Sequence, residues 1–229
     1  MTTETKLIHQ DINARSGSPI TSLTSDQVEG NLFAAGFGDG ALRLYDQREK
    51  PQNALVRVWK EHKAWLTNVH LQRGGQRELV TASRDGYVKL WDLRWDRSIR
   101  TLQAAPPSPA GSTGGGGSTG LAGLAVGTHS TVAHPTASAP PPREGLRVLA
   151  VHEHAPVLAV GTEGRAVRIF RTSGVPLSSF EPSVARFIGA ASGVSCVAFH
   201  PHRMIVAAAA VGDSHVNLFA CGKKGEKEV

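Results

Sequence analysis

Four stretches of this chain repeat one pattern, and that repetition limits the fold more than any other feature of the sequence. They read NLFAAGFGDGALRLYD, RELVTASRDGYVKLWD, PVLAVGTEGRAVRIFR and MIVAAAAVGDSHVNLFA. Each is a short apolar run, a tight turn, and a second short run ending in an aromatic residue. The turns fall at Gly38-Asp39-Gly40, Arg84-Asp85-Gly86, Glu163-Gly164-Arg165 and Gly212-Asp213-Ser214, the Gly and Asp chemistry that a two-stranded hairpin needs. The runs that follow are Leu42-Arg43-Leu44-Tyr45, Val88-Lys89-Leu90-Trp91, Val167-Arg168-Ile169-Phe170 and Val216-Asn217-Leu218-Phe219. Their alternation places two aliphatic side chains on one face and a polar one on the other, as a half-buried strand requires.

The spacing of the closing aromatics shows the size of the repeat. Tyr45 to Trp91 is 46 residues and Phe170 to Phe219 is 49, close to the ~40–45 residues of a four-stranded propeller blade. Trp91 to Phe170 is 79, too long by one insertion. Residues 104–143 supply it, a run of Gly, Pro, Ser, Thr and Ala with one charge, on Arg143. Such a composition buries too little apolar surface to offset the entropy of ordering it, so the stretch is predicted to be a disordered linker. Short apolar runs ahead of each hairpin, at 18–23, 64–71, 146–152 and 193–200, supply first strands; runs at 54–59, 98–103 and 175–180 supply fourth strands. The prediction is an all-β propeller with about four blades, at 18–60, 61–103, 144–182 and 183–222, and a basic tail at 223–229. Residues 5–12, TKLIHQDI, belong to no repeat and are predicted to be the outer strand of a preceding blade or of the closing one.

Composition removes several function classes. With 40% hydrophobic and 19% charged residues the chain reads as an ordinary globular protein. Two cysteines, Cys196 and Cys221, are too few for a disulfide framework or a zinc site and point to a reducing compartment. No run approaches the roughly 18 apolar residues of a membrane helix, so membrane insertion is not expected. The net charge of +6 is scattered, apart from the terminal CGKKGEKEV, and a scattered charge reads as a solvated surface and not as a nucleic-acid site. No cofactor motif is present.

Two constellations could carry chemistry. His62, Ser83 and Asp85 are the residue types of a hydrolase triad, but Ser83 lies within a strand and no G-x-S-x-G elbow surrounds it. His152-Glu153-His154 and His200-Pro201-His202 each offer two imidazoles, yet both fall in the turn between first and second strands and are 48 residues apart, so they recur because the blade recurs. No catalytic or metal site is therefore predicted. Cys196 is expected in the core, and Trp59 and Trp65 around His62. Trp95, in DLRWDR, is expected at the surface as a partner contact, because Trp and Arg are enriched at interface centres.

His62, Ser83, Asp85 and Trp91 match, one by one, the positions of the WD-repeat family's buried hydrogen-bond network, which the resemblance implies here. The wording of the repeats is narrower still. GFGDGALRLYDQRE, the KEHKAW junction and the AFHPH turn are similar to the C-terminal propeller of the raptor family, the regulatory-associated proteins of TOR. That family's propeller has seven blades, of which this chain supplies about four. The third repeat departs from the pattern, with Phe170-Arg171 where Trp-Asp is typical. The resemblance implies a non-catalytic scaffold of TOR complex 1 that helps present substrates to TOR kinase in nutrient-responsive growth signalling. Its partners would be TOR kinase complex components and substrates; its location would be the cytoplasm, with recruitment to the lysosomal surface. The alternative is a WD-repeat adaptor of another cytosolic or RNA-associated complex.

Overall fold

A computed structural model describes residues 17–26, 30–72, 78–105, 144–182 and 193–220. The outer strand expected at 5–12, the tail at 223–229, residues 183–192 of the fourth repeat and 106–143 of the linker lie outside the described residues. Among the described residues, fifteen strands form four antiparallel sheets, each a meander in chain order. The first blade is β1 (Ile20–Ser25), β2 (Leu32–Phe37), β3 (Leu42–Asp46) and β4 (Leu55–Trp59). The second is β5 (Leu66–Leu71), β6 (Glu78–Ser83), β7 (Tyr87–Asp92) and β8 (Ser98–Gln103). The third is β9 (Leu146–Val151), β10 (Val157–Thr162), β11 (Val167–Arg171) and β12 (Pro176–Phe180). The fourth has three described strands, β13 (Val194–Phe199), β14 (Ile205–Ala210) and β15 (Asn217–Ala220).

Strand alternation builds the propeller. In β6, Leu79 turns back to meet Leu42, Leu44 and Trp59 of the first blade, while Val80 and Ala82 turn forward to Leu146, Leu158 and Val160 of the third. In β10, Leu158 and Val160 face the second blade and Ala159 faces Val194, Val206 and Ala208 of the fourth. The cores thus lie between successive sheets, and the first strands β1, β5, β9 and β13 sit side by side. Among the described residues no comparable packing joins β13 back to β1.

That open end corrects one expectation. Cys196 is exposed and not in the core. It lies on the face of the fourth blade against which no described blade packs. Leu218 there is 70% exposed, whereas Leu90, at the same place in the second blade, is 4% exposed. The linker boundary also shifts. Ala104 and Ala105 are buried and their N–H groups both donate to the Gly86 carbonyl, so ordered chain continues two residues into the stretch assigned to the linker.

Small residues recur where blades approach most closely. Gly36 in β2 and Gly161 in β10 occupy the same register position, and a Cβ on either would sit 2.8 Å or less from a valine of the next blade. The hairpin turns have a separate requirement. Gly40 and Gly86 have φ near +80°, but in the third blade the left-handed residue is Arg165, with φ 79°, and not Gly164. A side chain there costs about 1–2 kcal/mol, partly offset by the extra unfolded-state freedom of glycine. Arg165→Gly is expected to raise stability by about 0.5–1 kcal/mol. Urea unfolding checks this, and a lower midpoint would mean that the arginine makes contacts worth more than the strain.

Candidate interaction site

The second blade holds a buried chain of polar side chains. The loop after β4 brings His62 beneath the β6–β7 hairpin, where its Nδ1 lies 2.9 Å from Asp85 Oδ2 and its Nε2 2.8 Å from Thr81 Oγ1. Trp91 Nε1–H donates to the same Thr81 oxygen at 2.9 Å. The directions are self-consistent: indole N–H to hydroxyl, hydroxyl to Nε2, Nδ1–H to carboxylate. This order assigns the Nδ1–H tautomer. Asp85 also accepts the backbone N–H groups of Lys63 and Tyr87. Burial pushes its carboxyl up, but those bonds, with that from His62, outweigh burial and leave it below the ordinary range.

Thr81, not Ser83, is the hydroxyl of this chain, which corrects the assignment made from sequence. Both residues point to the same face, two apart on β6, so alternation alone cannot separate them. Ser83 Oγ instead donates to the Ala64 carbonyl and accepts from the Asp85 N–H. With both nitrogens engaged by Asp85 and Thr81, His62 has none left to draw a proton from Ser83. The arrangement therefore lacks the nucleophile–base contact of an acyl-transfer site.

The other blades keep the aromatic and lose the chain. Tyr45, Phe170 and Phe219 occupy the Trp91 position; Ala35, Val160 and Ala208 occupy that of Thr81. Tyr45 stacks on Phe33 at 4.9 Å, and its hydroxyl is buried with no hydrogen-bond partner among the described residues. Of the turn aspartates, Asp39 Oδ1 accepts the Ala41 N–H and Asp213 Oδ1 accepts the His215 N–H. Both cap their own hairpins.

Ionic clasps fix the blade ends. Asp46 and Asp92, each after a closing aromatic, hold Arg48 and Arg94 two residues on through paired guanidinium bonds. Bonding from the Arg48 side chain holds the Asp46 carboxyl down at about 2. Glu61, in the KEHKAW junction, bonds Lys89 Nζ at 2.9 Å, the Ser98 N–H at 2.9 Å and the Ser98 hydroxyl at 2.6 Å. Burial raises its carboxyl, and these bonds more than reverse that. Sequence reasoning missed Glu61; a carboxylate beside the network histidine was its signal. Each depressed carboxyl contributes stability fully above its unfolded value, 4.5 for Glu61 and 3.8 for Asp46 and Asp85, and loses it as pH falls through the folded value. The melting temperature is expected to stay level down to about pH 5 and then fall steadily toward about pH 2. Calorimetry across that range checks it; a level profile down to pH 3 would contradict it.

The histidine pairs come together across the third and fourth blades. The His154 and His202 rings stack at 5.5 Å and 10°, face to face and not with lone pairs converging on a point. His152 Nδ1 and His200 Nδ1 are taken by backbone N–H groups of their own turns. Among the described residues no group of three or more His, Cys, Asp or Glu is placed to hold a metal ion. Trp59 packs against Trp91 at 5.7 Å, while Trp65 is half-exposed under Arg84. Trp95 is 63% exposed, on the loop between β7 and β8.

Comparison with known proteins agrees with this geometry. The WD domain, G-beta repeat, family matches residues 53–92 and 181–219. Over 95% of its length the chain is 36% identical to the target of rapamycin complex 1 subunit mip1 of Schizosaccharomyces pombe and 37% identical to the subunit KOG1 of Saccharomyces cerevisiae. It spans 14% of the length of each. The crystal structure of Chaetomium thermophilum Raptor superposes with a TM-score of 0.70 at 41% identity, over 93% of this chain and 16% of that one. With the likeness running through all four blades, the chain belongs to the WD-repeat region of the raptor family.

Proposed function

We propose that this chain is a non-catalytic scaffold of TOR complex 1, a rigid propeller surface that helps bring substrates to TOR kinase in nutrient-responsive growth signalling. The observation that carries the reading is the identity of 36–37% with two fungal TOR complex 1 subunits along 95% of the chain. The geometry supports the non-catalytic part, because His62 is saturated by structural bonds and Ser83 is buried. Its partners are components and substrates of the TOR kinase complex. Its place is the cytoplasm, with recruitment to the lysosomal surface; among the described residues no helix is long and apolar enough to cross a membrane.

The test is to tag the protein carrying this chain at its native locus and purify it under mild lysis. TOR kinase is expected in the eluate, and its clean absence would sink the proposal. A serine-reactive probe is expected to leave Ser83 unlabelled; labelling lost in Ser83→Ala would restore the hydrolase reading.

A further inference from the structure

Strand register sets a cation opposite a hydroxyl at the same place in the second and third blades. In the second, Thr81 pairs with Lys89 and Lys89 with Thr101; in the third, Val160 pairs with Arg168 and Arg168 with Ser179. The second blade neutralises its cation. Lys89 Nζ donates to Glu61 at 2.9 Å and to the Thr101 hydroxyl at 3.1 Å, so cation, hydroxyl and carboxylate form one cluster. The third blade lacks the carboxylate. Counting back five residues from the start of β5 gives Glu61, whereas the same count from the start of β9 gives Pro141. The acids at that end of the third blade are engaged elsewhere: Glu144 accepts the Gly164 N–H, and Glu163 pairs with Arg84 at 3.6 Å.

Arg168 is left uncompensated. Its Nε is buried and makes no hydrogen bond, and among the described residues no carboxylate pairs with its guanidinium. Desolvating a cation with no anion beside it is costly, and Glu61 relieves that cost in the second blade. Arg168 shares a face with Val160, which packs in the core between the second and third blades, so Arg168 and Ser179 both look onto that seam. The opposite wall adds a further cation. Arg100 reaches across from β8 and donates to the Thr172 carbonyl at 3.2 Å. Ser179, by contrast, is accessible. Strand β12 is the outer strand of its sheet, paired with β11 alone, and every residue from Pro176 to Ser179 is exposed. An extended edge strand presents its side chains to an incoming enzyme without unfolding. Among the described residues the Ser179 hydroxyl makes no hydrogen bond.

We infer that Ser179 is a phosphorylation site and that its phosphate is the anion Arg168 lacks. Ser179 Oγ attacks the γ-phosphorus of a nucleoside triphosphate held by a protein kinase, and the new O–P bond forms as the bond to the β–γ bridging oxygen breaks. The nucleoside diphosphate leaves with that electron pair, and the hydroxyl proton passes to the kinase's base. Directly opposite residues on antiparallel strands have Cβ atoms about 4.5–5.5 Å apart, which brings a phosphoserine within reach of an arginine. The phosphate carries about −1.5 to −2 charges at neutral pH, with acceptor oxygens for a two-pronged bond to the guanidinium. Ser178 is equally exposed but pairs with Ile169, which packs toward the fourth blade, so a phosphate there has no cation opposite it. The result is a switchable edge, with β12 held ionically only after modification. The inference is independent of the TOR complex assignment, and its failure would leave the co-purification result standing.

Two measurements test it. The protein carrying this chain is purified from its own cells, growing and starved, with phosphatases inhibited, and peptide 172–186 is sequenced by mass spectrometry. Phosphate on Ser179 is expected; its absence in both conditions, or its presence on Ser178 instead, overturns the proposal. The full chain is also made with phosphoserine installed at position 179 and melted beside the unmodified chain. The phosphate is expected to raise Tm by about 2–4 °C and to slow hydrogen exchange in β12. Arg168→Met, measured with and without the phosphate, is expected to abolish both gains, while Arg168→Lys keeps part of them. An unchanged or lowered Tm, or a gain that survives Arg168→Met, overturns the proposal. Should Arg168→Met not fold, Arg168→Gln takes its place under the same criterion.

Discussion

Thr81→Val is expected to lower the unfolding free energy by about 2–4 kcal/mol, because two buried groups lose their only partner at once. The Trp91 indole N–H and His62 Nε2 both bond the Thr81 hydroxyl, and valine fills the same space without offering either a donor or an acceptor. The residues sit at or near zero exposure, so water cannot replace the lost bonds. Asp85→Ala frees the other end of the chain and is expected to cost about 1–3 kcal/mol. The double variant should cost less than the sum, since both changes break one connected network. Ser83→Ala is the control, at about 1 kcal/mol, because Ser83 bonds only backbone. Urea unfolding of the four proteins checks the order. A cost for Ser83→Ala equal to that of Thr81→Val would show that the two hydroxyls have been assigned the wrong way round.

Gly161→Ala is expected to cost at least about 1–3 kcal/mol through a different mechanism. Its Cβ would lie 2.6 Å from Val148 Cγ2 within the blade and 2.6 Å from Val194 Cβ and Cγ1 on β13. Real carbon contacts do not close to that distance, so β13 must move away from β10. Val194, Val206 and Ala208 then lose their packing against Ala159 and Val167. The strain acts at one seam, so hydrogen exchange should quicken across β13, β14 and β15 while the amides of β5 to β8 keep their protection. Uniform loss across all four blades would mean that the propeller opens as one unit and that the seam has no separate stability.

Much of the architecture was legible because it is local. A hairpin with Asp85-Gly86 at its turn and alternation in Val88-Lys89-Leu90 dictates its own pairing, and the observed strands fall within the runs expected to form them. His62, Asp85 and Trp91 were also legible, through their match to the network positions of the WD-repeat family, and the bonds His62–Asp85 and Trp91–Thr81 place all three in the buried chain. Thr81 was not separable from Ser83, because a period of two puts them on the same face. Register decided it: Thr81 pairs with Lys89, and from there the Trp91 ring reaches back to it. The paired clasps Asp46–Arg48 and Asp92–Arg94 explain in turn why the Trp-Asp ending matters. The third and fourth repeats, with Arg171 and Ala220 after the aromatic, have no aspartate there to make the clasp.

The sequence by itself settled the elements, their order and the blade period, because turn chemistry and alternation act between near neighbours along the chain. It could not say which faces would be covered. Leu90 and Leu218 stand in the same pattern, yet one is buried and the other lies in water. Likewise Trp59 and Trp95 look alike as letters near an arginine, but one closes the seam between two blades and the other projects from it. Burial depends on what the fold brings opposite a residue, and that is decided only when distant blades pack.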